Sequence, residues 1–159
     1  MTLLTGERRD LPQRHEHDRC VAEALARAER VCRLRGVRLT PLRRRVLELI
    51  WRDHRAVKAY DLLALLEPPK RPITLYRTLD FLIEHGLVHR LSTLNAFVGC
   101  SLASPHRALL LICYRCGLVE EQPAEELLSR LQREAERCHF QPLVETVELL
   151  GLCRDCRKG

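Results

Sequence analysis

No apolar run of signal-peptide length opens this chain of 159 residues, where charge arrives by Glu7, and no segment approaches the roughly 20 residues that cross a bilayer. Both absences argue against a membrane protein and predict a cytoplasmic one. There is no internal repeat and no low-complexity tract, so neither a solenoid nor a linker-like chain is expected. Eight cysteines in a reducing compartment do not predict a disulfide framework, and their spacing is read first as metal-ligand spacing. What is present is 46% hydrophobic residues, enough for one ordinary domain or two small ones sharing an interface.

The net charge of +6 is uneven: residues 1 to 91 hold 19 Lys and Arg against 12 Asp and Glu, and residues 92 to 159 hold 8 against 9. A basic first half suits a polyanion such as DNA, although basic surface is often merely solvated.

From about His17 to Arg35, Val21, Leu25, Ala28, Val31 and Leu34 recur at three and four, and Gly36 supplies a left-handed stop, which predicts a first helix. Thr40 and Pro41 form an N-cap and first-position pair ahead of the stripe Leu42, Val46, Leu49 and Ile50. A third helix spans Ala59 to Leu66 and ends at Pro68 and Pro69, whose rings cannot continue it. The fourth, ITLYRTLDFLIEHG, buries Leu75, Leu79 and Leu82 and stops at Gly86. At 100° per residue Arg77 lies about 200° from Leu75, pointing away from the buried stripe with Thr74 and Tyr76 beside it, while Phe81 points partly outward. LVHRLS and AFVGC then read as a hairpin turning near Thr93 to Asn95, and helices followed by a hairpin suggest a winged helix. Beyond Ser101 come the run ALLLICY, LVEEQ, a charged helix from about Pro123 to Cys138 and the β-prone PLVETVELL.

The expected fold is therefore α+β: a mobile arm over residues 1 to 15, a winged-helix DNA-binding domain over 16 to 91, a hinge at 92 to 96 and a small α/β dimerisation domain over 97 to 159.

Two CxxC pairs, Cys113/Cys116 followed by Gly117, and Cys153/Cys156, are the strongest chemical signal and predict one tetrahedral structural zinc site. Two intervening residues let both thiolates of a knuckle reach one ion, and a redox motif needs only one such pair. The 36 residues between Cys116 and Cys153 exceed compact-ribbon spacing. Doubling a loop costs only roughly 0.6 kcal/mol, whereas structural zinc contributes on the order of 10 kcal/mol. Cys20, Cys32 and Cys138 have no ligand-type spacing and are read as packing residues. His139 is read as uninvolved, and the HxH pair His15 and His17, where the arm meets the first helix, is given no role.

The segments LTPLRRRVLELI, AYDLLALL, ITLYRTLDFLIEHGLVHR, HRALLLICYRCGLVEE and GLCRDC, in that order over about residues 36 to 156, resemble the ferric uptake regulator family. LYRTL is similar to its recognition-helix signature, and CxxCG with the final CxxC to its structural-zinc motif. The resemblance implies a cytoplasmic homodimer that binds double-stranded operator DNA, with no small-molecule substrate and no membrane.

By resemblance to the family's zinc uptake branch, His89, Cys100, His106 and Glu121 are the ligands of a second, regulatory zinc, giving two ions per chain. One thiolate and two imidazoles favour zinc over metals that take all-oxygen sites. Iron- and peroxide-sensing members usually carry a His-rich cluster before the first CxxC, where this chain has only His106. The adjacent Glu120 is the rival to Glu121, and because a strand points the two to opposite faces only one of them can be a ligand. Taken singly, His89, Cys100 and Glu121 have bland readings as a surface histidine, a small buried hydrophobe and a solvated carboxylate; their joint match selects them.

Arg77 is expected to read guanine N7 and O6. By resemblance Tyr60 approaches bases and Tyr76 lies near the backbone, with Thr74 alongside. Arg43, Arg44 and Arg45 are expected to meet phosphates. The functional expectation is a zinc-responsive transcriptional repressor of zinc uptake genes. Its rivals are an iron or peroxide sensor of the same fold, a zinc metalloenzyme, which the absence of a separate general base opposes, and a zinc-stapled interaction module.

Overall fold

The computed structural model describes residues 17–101, 108–142 and 147–158; the expected arm, with His15, and His106 lie outside them. Helix α1 (His17–Leu34) ends at Gly36, whose φ of +64° is the left-handed stop expected of it. Its buried face is Ala24, Leu25, Ala28 and Cys32, with Cys20, Val21 and Val31 packed at the margin. Leu34, read as the last residue of that stripe, is instead 80% exposed. Nine positions beyond Leu25 at 100° each, it sits about half a turn off the buried face. Helix α2 (Pro41–Trp51) starts as its sequence dictates: Thr40 is extended, and its hydroxyl accepts from Arg43 N at 3.4 Å.

Helices α3 (Ala59–Ala64) and α4 (Pro72–Glu84) complete the bundle, and α4 ends at Gly86 with φ +67°. Leu47, Ile50, Leu62, Leu75, Leu79, Leu82 and Leu87 form its dry centre, each fully buried and each worth on the order of 2 kcal/mol. Phe81 is covered rather than idle, since Arg43 lies over its ring at 3.3 Å and His85 stacks on it at 4.1 Å.

Strands β1 (Val88–Leu91) and β2 (Ala96–Gly99) pair antiparallel as the wing, in register Val88↔Gly99 to Leu91↔Ala96. Val57 and Phe97 exchange backbone hydrogen bonds of 2.9 and 2.8 Å, tying the wing to the α2–α3 connection. Residues 92 to 95 thus form the hairpin's own turn, and pairing within the N-terminal sheet runs on to Gly99, through the stretch expected to be a hinge.

In the second unit β3 (Ala108–Cys113) is central, with β4 (Val119–Pro123) antiparallel on one side and β5 (Val147–Gly151) parallel on the other. The parallel pairing requires a crossover, and α5 (Glu125–Arg137) supplies it. A short α6 (Arg154–Lys158), not foreseen in the sequence, carries Cys156. Cys138, expected to pack, is exposed because it follows the last turn of α5 at a solvent-facing end.

The two units lock together. Leu91 and Val98 of the wing share a dry cluster with Leu110 and Ile112 of β3. Ala56 N donates to Gly117 O at 2.8 Å. Glu148 of β5 accepts from Ser92 N at 2.8 Å, Thr93 N at 2.9 Å and Thr93 Oγ1 at 2.5 Å. Burial alone pushes the Glu148 carboxyl up, but these bonds outweigh it and hold the group below its ordinary value.

Candidate metal centre and nucleic-acid interface

The β3–β4 turn and the end of β5 bring the two CxxC pairs together. Gly117 takes φ +72° and donates to Cys113 O at 2.9 Å, closing the first knuckle so that Cys113 and Cys116 face one point. Because β5 lies parallel to β3, Cys153 arrives beside them, with Cys116 Sγ and Cys153 Sγ 3.8 Å apart. Arg115 Nη1 donates to Cys156 O at 2.7 Å and fixes the second pair. All four sulfurs lie within 4.8 Å of one another.

Four thiols this close cannot all ionise against each other. Backbone donation from the Cys153 stretch, ahead of other amide contacts, pulls the Cys113 thiol down to about 6. Burial, followed by hydrogen bonds to the other three cysteines, pushes Cys156 up to about 12. A divalent cation relieves that conflict, and Cys₄ is a zinc donor set, so the residues fit the ion.

The second cluster is built across the interface. His89 comes from β1, Cys100 from the residue after β2, and Glu121 from β4, with their ligand atoms all within 4.8 Å. His89 Nε2 lies 2.5 Å from Glu121 Oε1, and Cys100 Sγ lies 3.6 Å from the same oxygen. The other carboxylate oxygen is already committed: Ser101 N and Ser101 Oγ both donate to Oε2 at 2.6 Å. One oxygen is therefore anchored while the other faces the imidazole and thiol, the arrangement that orients a carboxylate ligand. Burial pushes the Glu121 carboxyl up, yet the bonds from His89 and Ser101 prevail and hold it well below the usual range.

The strand also sends the adjacent glutamates to different faces. Glu120 turns to the opposite face and accepts from Gln122 Nε2. Imidazole, thiolate and carboxylate form a borderline-soft set that fits zinc. Sequence reasoning missed Ser101; a serine beside a candidate ligand carries no pattern of its own.

On the outer face of the N-terminal unit Arg77 is exposed, and so are Tyr60 at 80% and Tyr76 at 48%. Thr74 is partly covered, and its carbonyl accepts from Thr78 Oγ1. The expected phosphate trio is engaged inside the chain: Arg43 donates to Arg38 O and covers Phe81, Arg44 pairs with Glu29 at 2.6 Å, and Arg45 pairs with Glu48 at 3.2 Å. The latter two are surface pairs, worth at most about 1 kcal/mol and readily exchanged for a phosphate.

A model of the ferric uptake regulator family matches residues 34–149. The zinc uptake regulation protein of Escherichia coli (strain K12) is 42% identical over 139 residues, which is 84% of this chain and 81% of that protein. Among solved structures, a zinc uptake regulator complexed with zinc and DNA is 41% identical and superposes with a TM-score of 0.82 over 87% of this chain and 95% of its own. The holo form of XcZur, 40% identical, gives 0.80 over 87% of this chain and 99% of its own. The apo form, 39% identical, gives only 0.50 over 86% and 97%. At matched identity the fold described here thus coincides with the holo arrangement and departs from the apo one.

Proposed function

The chain belongs to the ferric uptake regulator family, and on that premise we propose that it is a zinc-responsive DNA-binding repressor of zinc uptake genes, acting as a cytoplasmic homodimer with two zinc ions per chain. It is a transcription regulator and not an enzyme. The observation that carries the reading is the convergence of His89, Cys100 and Glu121 from both sides of the interdomain boundary.

Bound at such a site, zinc supplies a cation that all the donors must share. His89 and Cys100 are held by the wing, and Glu121 is held by β4, so the donors are shared only while the wing lies against the second unit. His106, in residues outside those described, is the fourth donor. The relative orientation so fixed sets the spacing of the two recognition helices in a dimer. Any preference of the metal for this arrangement becomes tighter DNA binding, and coupling of roughly 1 to 3 kcal/mol gives a 5- to 150-fold change. The superposition on a holo relative supports the same reading.

Arg77 presents its guanidinium to guanine in the major groove, with Tyr60, Tyr76 and Thr74 beside it and Arg44 and Arg45 toward the phosphates. The dimer is supported by apolar surface left over in the second unit: Leu127 and Leu131 of α5 and Leu149 and Leu150 of β5 are all 41% exposed or more. The Cys₄ cluster holds the other zinc and staples β3 to the end of β5. We place the domain boundary just after the wing, beyond Gly99, rather than at 92 to 96.

The test is to titrate zinc, ferrous iron or manganese into protein holding only its structural ion, with upstream DNA of zinc-transporter genes as probe. Zinc is expected to restore binding at the lowest concentration. An equal or better response to iron would move the protein to the iron-sensing branch.

A further inference from the structure

Arg27 lies far in sequence from the sensing residues, yet its side chain ends on them. Its Nη1 donates to Ser101 O at 2.9 Å and its Nη2 donates to Cys100 O. Its Cζ sits 5.5 Å from the ring centroid of Trp51, within cation–π range. Trp51, the single tryptophan of the chain, lies against Gly99, the residue before Cys100. A Cβ built at Gly99 would stand 2.3 Å from Trp51 Cε2 and Nε1, so the end of β2 presses directly on the indole. Neither Arg27 Nε nor Trp51 Nε1, both buried, has a hydrogen-bond partner among the described residues. The pair is held for its contacts at the fork and ring face rather than for complete satisfaction.

The fork's two acceptors belong to residues that also engage Glu121: the Cys100 thiol lies toward Oε1, and the Ser101 amide and hydroxyl donate to Oε2. We propose that Arg27 is a positioning residue of the sensing site, holding the successive Cys100 and Ser101 carbonyls in its fork while its guanidinium rests on Trp51, so that thiol and carboxylate meet, and thereby joining metal binding to α1 and α2 of the DNA-binding unit. The inference rests on His89, Cys100 and Glu121 being the regulatory site. A planar fork suits two adjacent carbonyls better than an ammonium does, which gives the role a chemical signature.

The experiment compares wild type, Arg27→Ala and Arg27→Lys as full-length dimers that retain structural zinc. Zinc affinity at the second site is read from competition with a chelator and from Trp51 fluorescence. Cobalt substituted there reports the thiolate through its charge-transfer band. Arg27→Ala is expected to weaken second-site zinc about 10- to 100-fold, the range for lost support of a metal ligand, and to alter the cobalt band, with structural zinc unchanged. Arg27→Lys should fall between. Wild-type affinity and an unchanged band in Arg27→Ala would overturn the proposal while leaving the regulatory site standing. A wild-type protein that takes no second metal would overturn both. Should Arg27→Ala fail to fold, Arg27→Lys decides: a weaker site in an intact dimer supports the clamp, and wild-type affinity refutes it.

Discussion

The two clusters of metal-type donors differ in what they connect. Cys113, Cys116, Cys153 and Cys156 all belong to the second unit, within one sheet and the turn and short helix at its end. His89, Cys100 and Glu121 join that sheet to the wing. Four identical soft donors inside one unit can only staple it, whereas mixed donors shared between two units tie an ion to their relative orientation. In the function proposed above, the same element serves as structure in one place and as signal in the other, and the topology of the ligands decides which.

The hardest way to break this contrast is at the staple. Cys153→Ser leaves three thiolates and no closed tetrahedron, and the metal there contributes on the order of 10 kcal/mol to folding. Zinc analysis with sedimentation should find the tightly held ion gone and the dimer lost; a stable, zinc-replete dimer would sink the structural assignment. Cys100→Ala is expected to act more selectively. The protein should remain a folded dimer with one zinc fewer per chain, and its operator binding should no longer rise on adding zinc. Full zinc content with normal zinc-dependent binding in this variant would return Cys100 to the status of a packing residue.

Arg77→Ala sharpens the comparison from the DNA side, because it touches neither cluster. Specific binding should weaken by roughly 1 to 3 kcal/mol and discrimination at one base position should relax, with zinc content unchanged. Equal weakening on random and operator DNA would make Arg77 a phosphate contact. The smallest effect is expected at Glu148, whose carboxylate holds the wing turn without any metal. Glu148→Gln should cost about 1 kcal/mol or less of the closed arrangement, since the group is partly solvated. Because its folded value lies below the ordinary 4.5, this contribution is present above pH 4.5 and is lost as pH falls through the lowered value. Domain closure followed by hydrogen exchange at Ser92 and Thr93 should show it, and identical protection in wild type and variant at neutral pH would remove the latch from the account.

Much of this was legible in the sequence because the signals were local. The Thr40–Pro41 start, the stops at Gly36 and Gly86 and the leucine stripe of α4 all depend on neighbours within a turn or two, and the paired CxxC motifs needed only spacing. Strand alternation showed that only one of Glu120 and Glu121 can face a given site, but not which one. Illegible were contacts between residues far apart in the chain. Ser101 on Glu121, Arg27 on the Cys100 carbonyl and Glu148 on the wing turn join elements whose approach no periodicity reports. The stretch expected to be a hinge coincides with the wing's turn for a related reason: a hairpin turn and a hinge look alike in composition, and only the pairing of β1 with β2 distinguishes them. Leu34 shows that three-and-four spacing drifts off a face by the end of a long helix.

In the proposed function a second zinc, shared by the wing and β4, sets operator affinity. The direct measurement is operator affinity against zinc bound per chain, starting from dimers that already hold their structural ion. Affinity is predicted to stay low until the second site fills and then to rise 5- to 150-fold in step with it. A dimer that binds operator equally well with one zinc per chain and with two would contradict the account.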